Sequence, residues 1–168
     1  MEASDLIRHL DLRPLPLEGG YFREIWRSGL SLDRELLPGE YDGSRSAGTA
    51  IYYLLTPDTF SALHRLPGDE VYHFYMGDPV ELLLLHPGGE SDVVTLGQDL
   101  ASGMVLQQVI PGGCWQGSRL RAGGRFALMG TTMAPGFDAR DLRLGKPEEL
   151  AAAYGSRETL IRALCRAP

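Results

Sequence analysis

Cysteine is scarce in this chain. Cys114 and Cys165 are the two present, far apart and in no metal or redox spacing, so no disulfide framework is expected. Long hydrophobic runs are missing too. No segment approaches the ~18 consecutive apolar residues of a membrane span. The first residues, MEASDLIRHL, carry acids early and no long apolar region, and do not read as a signal peptide. Positive charge is in the minority, with 16 Lys and Arg against 22 Asp and Glu and a net charge of −6. That balance gives no general attraction to nucleic acid. The expectation is a soluble cytoplasmic protein with neither nucleic acid nor membrane among its partners.

What is plentiful is turn-forming residues. The 21 glycines and 11 prolines stand singly or in pairs between apolar runs, which suits an all-β chain with many turns. The 168 residues are most simply one domain, long enough for a sizeable core.

The chain is organised around residues 59–79, TFSALHRLPGDEVYHFYMGDP. Two alternating, mostly apolar segments flank a Pro-Gly turn and read as a hairpin. Side chains alternate faces along a strand. Phe60, Ala62, His64 and Leu66 should therefore share one face, and Glu70, Tyr72, Phe74 and Met76 one face of the next strand. Folded together, those faces point His64 and Glu70 into one apolar-walled space. A polar pair there must be hydrogen-bonded, metal-bound or shifted in pKa, since an unpartnered neutral group costs roughly 2–7 kcal/mol. Strict alternation puts His73 on the opposite face, and only a bulge near Tyr72 turns it inward.

Elsewhere, residues 4–10 read as a short helix capped by Ser4. YFREIWR reads as a strand with Tyr21, Arg23, Ile25 and Arg27 on one face and Phe22, Glu24 and Trp26 on the other. Either Arg23 or Tyr21 is a candidate to reach a ligand pocket. Residues 28–47 read as a loop and the best candidate for a mobile flap. The strand at 48–56 and the run ELLLLH are apolar on both sides and need a second cover, which another sheet, a helix or a partner subunit would supply; a homodimer is expected. Arg119, Arg121 and Arg125 cluster either as a solvated hairpin end or as an anion site. After residue 138 the pattern turns helical, with PEELAAAY ending at Gly155 and SRETLIRALCR beyond it. These helices are expected to cover an outer sheet face.

The central stretch resembles the first motif of the cupin superfamily, G-x(5)-H-x-H-x(3,4)-E-x(6)-G. His64, Glu70 and Gly77 match it, while Leu66 stands for the second histidine and Asp58 for the first glycine. The second motif, G-x(5)-P-x-G-x(2)-H-x(3)-N, is echoed by Pro111, Gly113 and Gln116, with Gln116 in place of histidine and Leu120 in place of asparagine. The segments EGGYFREIWRS, TAIYYLLTPDTFSALHRL, DEVYHFYMGDPVEL, VIPGGCWQGSRL and MAPGFD are similar to small single-domain cupins, largely of unassigned function.

The resemblance implies an all-β, cupin-type double-stranded β-helix, a jelly-roll barrel with short flanking helices. It implies one domain over 1–168, with a lead-in at 1–17, the barrel at 18–138 and a helical segment at 139–168. It also implies a small-molecule ligand inside the barrel. Metal-free cupins of the nucleotide-sugar 3,5-epimerase type use a histidine base, an orienting carboxylate and a tyrosine acid. Here those roles would fall to His64, to Glu70 or alternatively Asp138, and to Tyr72. Gln116, Trp115 as an aromatic wall, His73 and Arg23 complete the candidate ligand-binding set. No cofactor is expected, because two family histidines are replaced and only a weak divalent site at His64, Glu70 and Gln116 remains. The leading expectation is a metal-independent isomerase or epimerase acting on a sugar-like carbonyl compound. The alternatives are a non-catalytic ligand-binding cupin and, third, a metal-dependent oxygenase or isomerase.

Overall fold

The computed structural model describes residues 1–166; the last two residues of the expected C-terminal segment lie outside the described residues. In chain order the elements are α1 (Ala3–His9), β1 (Arg13–Pro14), β2 (Tyr21–Arg27), β3 (Ser31–Leu32), β4 (Arg45–Ser46), β5 (Thr49–Leu55), β6 (Phe60–Arg65) and β7 (Asp69–Gly77). Then follow β8 (Val80–Leu85), β9 (Ser91–Leu96), β10 (Gln107–Ile110), β11 (Trp115–Leu120), β12 (Ala127–Ala134), β13 (Arg143–Leu144), α2 (Pro147–Ala153) and α3 (Glu158–Leu164). One sheet runs β1-β2-β5-β12-β7-β10 and faces a second, β13-β6-β11-β8-β9, while β3 and β4 pair separately. This is the expected cupin-type barrel of two facing antiparallel sheets with short helices outside.

β6 and β7 do not pair with each other. They are neighbours in sequence but belong to different sheets, joined by the Pro67-Gly68 corner. The expected hairpin is therefore a crossing between layers, as a jelly roll requires. The crossing still turns the inner faces of the two strands toward one core. Tyr53, Leu55, Tyr72, Phe74, Leu82, Leu84 and Met129 pack together between the sheets.

The second cover for the two-sided strands comes from within the chain. On β8, Leu82 and Leu84 point inward, while Leu83 and Leu85 pack under Leu150, Tyr154, Ile161 and Leu164 of α2 and α3. On β5, Leu54 turns outward against Leu6 of α1 and Leu12. Burying an aliphatic side chain is worth about 1.5–3 kcal/mol, which is what holds these short helices on the sheets. The helix α1 begins one residue earlier than expected. Its cap is a reciprocal pair between Glu2 and Asp5 rather than Ser4.

Three bulges break the alternation that the sequence suggests. Between Glu24 and Trp26 an extra residue is inserted in β2. Across from Gly117, β6 carries an extra residue, so that Gln116 faces His64 and Ser118 faces Ser61. In β7, Tyr75 is the extra residue: Met129 pairs with Phe74 but Leu128 with Met76. Each bulge moves every later side chain of its strand to the other face. Ser61 replaces Phe60 on the inner face, Phe60 joins the helix-covered side, and Met76 leaves the core for the partly exposed surface.

The 28–47 segment is not a free flap. Arg45 at its end is buried and bonds Asp141 through Nε (2.8 Å) and Nη2 (2.5 Å), and Asp42 through Nη2 (2.8 Å). A buried guanidinium needs such partners, and this one ties the segment to the turn after β12.

Candidate functional site

His64 lies on the inner face of β6, 1% exposed. Its Nδ1 is 2.7 Å from the carbonyl oxygen of Ala62. A carbonyl only accepts, so Nδ1 carries the proton and Nε2 is the free nitrogen of the neutral ring. Nε2 faces Glu18 Oε1 at 3.7 Å and has no hydrogen-bond partner among the described residues. The carboxylate beside His64 is thus Glu18, not Glu70, and the group that orients its ring is a backbone carbonyl.

Glu18 is delivered by a tight turn. Leu17 and the two glycines after Glu18 all have left-handed backbones, with φ of 66° at Leu17, 103° at Gly19 and 73° at Gly20. A leucine there costs about 1–2 kcal/mol, and the turn that carries this strain aims Glu18 inward. The turn is pinned by Tyr53, whose hydroxyl donates to the Gly19 carbonyl (2.9 Å), and by the amide of Ala62, which donates to the Glu18 carbonyl (2.7 Å). The Ser61 hydroxyl donates to Glu18 Oε1 at 3.4 Å.

Glu70 enters from the opposite sheet, 6% exposed. Gln116 Nε2 donates to its Oε2 at 2.7 Å. Burial pushes the Glu70 carboxyl above its ordinary value. The charge of Glu18 adds to this, while His64 and the hydrogen bonds from Thr131 and Gln116 oppose it. Gln116 spends its amide nitrogen on Glu70, and its Oε1 is left without a partner.

Above these groups opens a cavity of about 50 Å³, room for a few water-sized groups. Glu18, Glu24 and Glu70 line it together with Thr49 and Thr131; Leu15, Phe22, Ile51, Leu66, Met133 and Phe137 form its apolar wall. Leu66, in the place of the family's second histidine, contributes only carbon. His64 and Gln116 lie one layer beneath. At the mouth Arg27 clamps Glu24 (Nε 3.0 Å, Nη2 2.7 Å) and donates to the Phe137 carbonyl (3.1 Å).

The remaining candidates lie away from this cavity. Tyr72 is fully inside the core cluster. Burial holds its hydroxyl well above the ordinary value, reinforced by Glu70 and eased by a hydrogen bond with Ser61. It does not line the cavity. No bulge forms at Tyr72, so His73 stays on the outer face of its sheet, bonded to Thr132 Oγ1 (3.1 Å) and Gln107 Nε2 (2.9 Å). Arg23 is exposed and donates to the Leu10 carbonyl (3.1 Å). Trp115 packs on the helix-covered side under the Arg65 guanidinium, 5.0 Å from its ring. The carboxylate of Asp138 is taken by Arg140 Nε (2.9 Å) and Nη2 (2.8 Å), which holds it far below its usual range. The arginine cluster is divided between acids, Arg119 on Glu81 and Arg125 on Asp78. Glu18 and Glu24 were the site residues that strand periodicity did not single out. For Glu18 the signal was an acid placed directly before a glycine pair.

Among the described residues no three His, Cys, Asp or Glu side chains are grouped to hold a metal ion. His64 offers one nitrogen, Gln116 one weak oxygen, and Leu66 none, so the donor set does not fit the metal that many cupins carry.

Residues 4–145 match the family model described as cupin superfamily (DUF985). The chain belongs to this family. A hypothetical protein from Leishmania major superposes on this cupin with a TM-score of 0.88 at 32% identity, covering 99% of this chain and 100% of that one. A protein from Shewanella oneidensis does so with a TM-score of 0.87 at 33% identity, over 100% and 99%. An uncharacterized protein of Saccharomyces cerevisiae is 31% identical over 140 residues, 79% of this cupin and 70% of the yeast chain. Oxalate decarboxylase from Bacillus subtilis shares only the fold, at 16% identity and a TM-score of 0.53, over 92% of this cupin and 37% of that enzyme. Among the described residues no helix is long and apolar enough to cross a membrane.

Proposed function

We propose that this cupin binds a small carbonyl compound in the barrel mouth and moves a proton on it without a metal, as an isomerase does. The observation that carries the reading is one pocket holding two carboxyl groups in unlike settings. Glu70 is buried and pushed toward its neutral form. Glu18 reaches the same cavity with His64 Nε2 behind it at 3.7 Å. A buried carboxyl pushed toward its neutral form is the one suited to give a proton.

In this reading Glu18 is the base. It takes the proton from the carbon next to the carbonyl, and the C–H electron pair becomes the new C=C bond. The carbonyl π pair meanwhile takes the proton of the Glu70 carboxyl. The enediol so formed collapses in reverse from its other carbon. His64 stands behind Glu18 at 3.7 Å and does not reach the substrate, and Gln116 holds Glu70 in place. Tyr72 keeps the floor rigid. No step runs through a metal, because the donor set is too short to hold one.

Hydrogen exchange tests this. Dihydroxyacetone and glyceraldehyde in D₂O are followed by NMR with the wild type, Glu18→Gln and Glu70→Gln. The expectation is enzyme-dependent exchange at the carbon beside the carbonyl that falls at least a hundredfold in each variant, the usual scale of general acid–base catalysis. Exchange that persists in both variants removes the mechanism. Binding without exchange in the wild type leaves a ligand-binding cupin with no chemistry.

A further inference from the structure

We infer that the pocket selects a carbonyl compound bearing hydroxyls and no phosphate or carboxylate, and that Glu24 enforces this choice by occupying the Arg27 guanidinium at its mouth. The inference rests on the proton-transfer reading above and adds the substrate class to it.

The polar groups around the cavity are almost all acceptors. Glu18, Glu24 and Glu70 line it as carboxyl groups. His64 Nε2 and Gln116 Oε1, just beneath, are both unpartnered. The Thr49 hydroxyl oxygen already accepts from the Phe137 amide (2.9 Å). Among the described residues no lysine or arginine lines the cavity. At the mouth, the Arg27 guanidinium has its fork filled by Glu24 and the Phe137 carbonyl. An anion entering here would meet three carboxyl groups and no lysine or arginine, with only threonine hydroxyls and the Glu70 carboxyl to donate to it. A like charge in a partly dry site is repelled far more than in water.

A compound with several hydroxyls suits the same walls. Its O–H groups donate to the Glu18 and Glu24 carboxyl oxygens that line the cavity. Its single carbonyl accepts from the Glu70 carboxyl, which burial pushes toward its neutral form. The cavity's 50 Å³ suits a short molecule or the end of a longer one. Arg27 is 44% exposed and Glu24 36%, so this pair stands where an entering ligand passes. Freeing Arg27 by Glu24→Gln would supply the fork of donors that phosphate and carboxylate need.

The experiment compares matched probes: dihydroxyacetone with dihydroxyacetone phosphate, and glyceraldehyde with glyceraldehyde 3-phosphate. Binding is read by ligand-observed NMR, and exchange separately in D₂O. The wild type is expected to bind each neutral compound at least tenfold more tightly than its phosphate ester. Glu24→Gln should shrink or reverse that ratio. Equal or tighter binding of the esters by the wild type overturns the inference, as does failure of both neutral compounds to bind. A ratio that Glu24→Gln leaves unchanged removes Glu24 from the selection. The proton-transfer reading fails by a different result, a neutral compound that binds without exchanging its hydrogen.

Discussion

Replacing Glu70 by glutamine tests the electrostatics of the site without reference to any ligand. The wild-type carboxyl is raised above its ordinary value, first by burial and next by the charge of Glu18. A raised carboxyl binds its proton more tightly folded than unfolded. Its contribution to stability is therefore fully present below the unfolded value near 4.3 and is lost as pH climbs through the folded value. While that proton is held only by the folded state, stability falls by about 1.4 kcal/mol per pH unit, and every tenfold by which folding tightens the proton contributes that same amount in total. The substituted amide keeps the shape of the side chain, and its oxygen can still accept from Gln116 Nε2, which lies 2.7 Å from Glu70 Oε2 in the wild type, but it cannot ionise. Glu70→Gln should match the wild type near pH 4 and exceed it by a margin that grows as pH rises toward 7–8, the size of that margin reading how far folding tightens the proton. Urea unfolding followed by tryptophan fluorescence across pH 4–8 measures both curves. A variant that is less stable than the wild type at pH 7, with a parallel pH profile, would refute the reasoning. It would show that Glu70 is held as an anion by Gln116, Thr131 and His64.

Other substitutions separate the parts of the molecule. Gln116→Leu removes the donor to buried Glu70 and should cost about 1.5–3 kcal/mol, read by the same unfolding assay, with the loss shrinking in a Glu70→Gln background. Arg45→Met leaves the buried Asp141 without its partner; a loss of about 3–5 kcal/mol is expected, together with faster proteolytic cutting within residues 34–44. Ile161→Ala, at a fully buried α3 position over Leu83 and Leu85, should cost about 2–5 kcal/mol in chemical denaturation and leave ligand binding intact. His73→Ala, on the outer sheet face, should leave hydrogen exchange into a bound carbonyl compound within twofold of the wild type.

The layered β architecture was legible in the residues. Period-two runs such as Val80, Leu82 and Leu84 inward against Leu83 and Leu85 outward, set off by glycine and proline, leave few alternatives to a two-sheet barrel. The inward placement of His64 and Glu70 followed from the same alternation, and that of Gln116 from its place in the second motif; each is buried. The place of His73 followed too, since no bulge forms at Tyr72. Less could be read where a strand carries an extra residue. The bulge opposite Gly117 sends Ser61 inward in place of Phe60, and the one at Tyr75 sends Met76 out. Such bulges leave no fixed mark on composition, because one added residue changes register rather than hydrophobicity.

By itself the sequence determined that two sheets would enclose a mostly apolar core with a histidine and a glutamate inside it. Burial of alternating side chains is a local property and is written along each strand. Only the tertiary structure decided which acid stands beside His64. The answer is Glu18, brought from a turn far away along the chain by the left-handed backbone from Leu17 to Gly20 and by the Tyr53 hydroxyl. A contact between distant segments depends on how whole sheets close on each other, and no pattern within either segment encodes that distance.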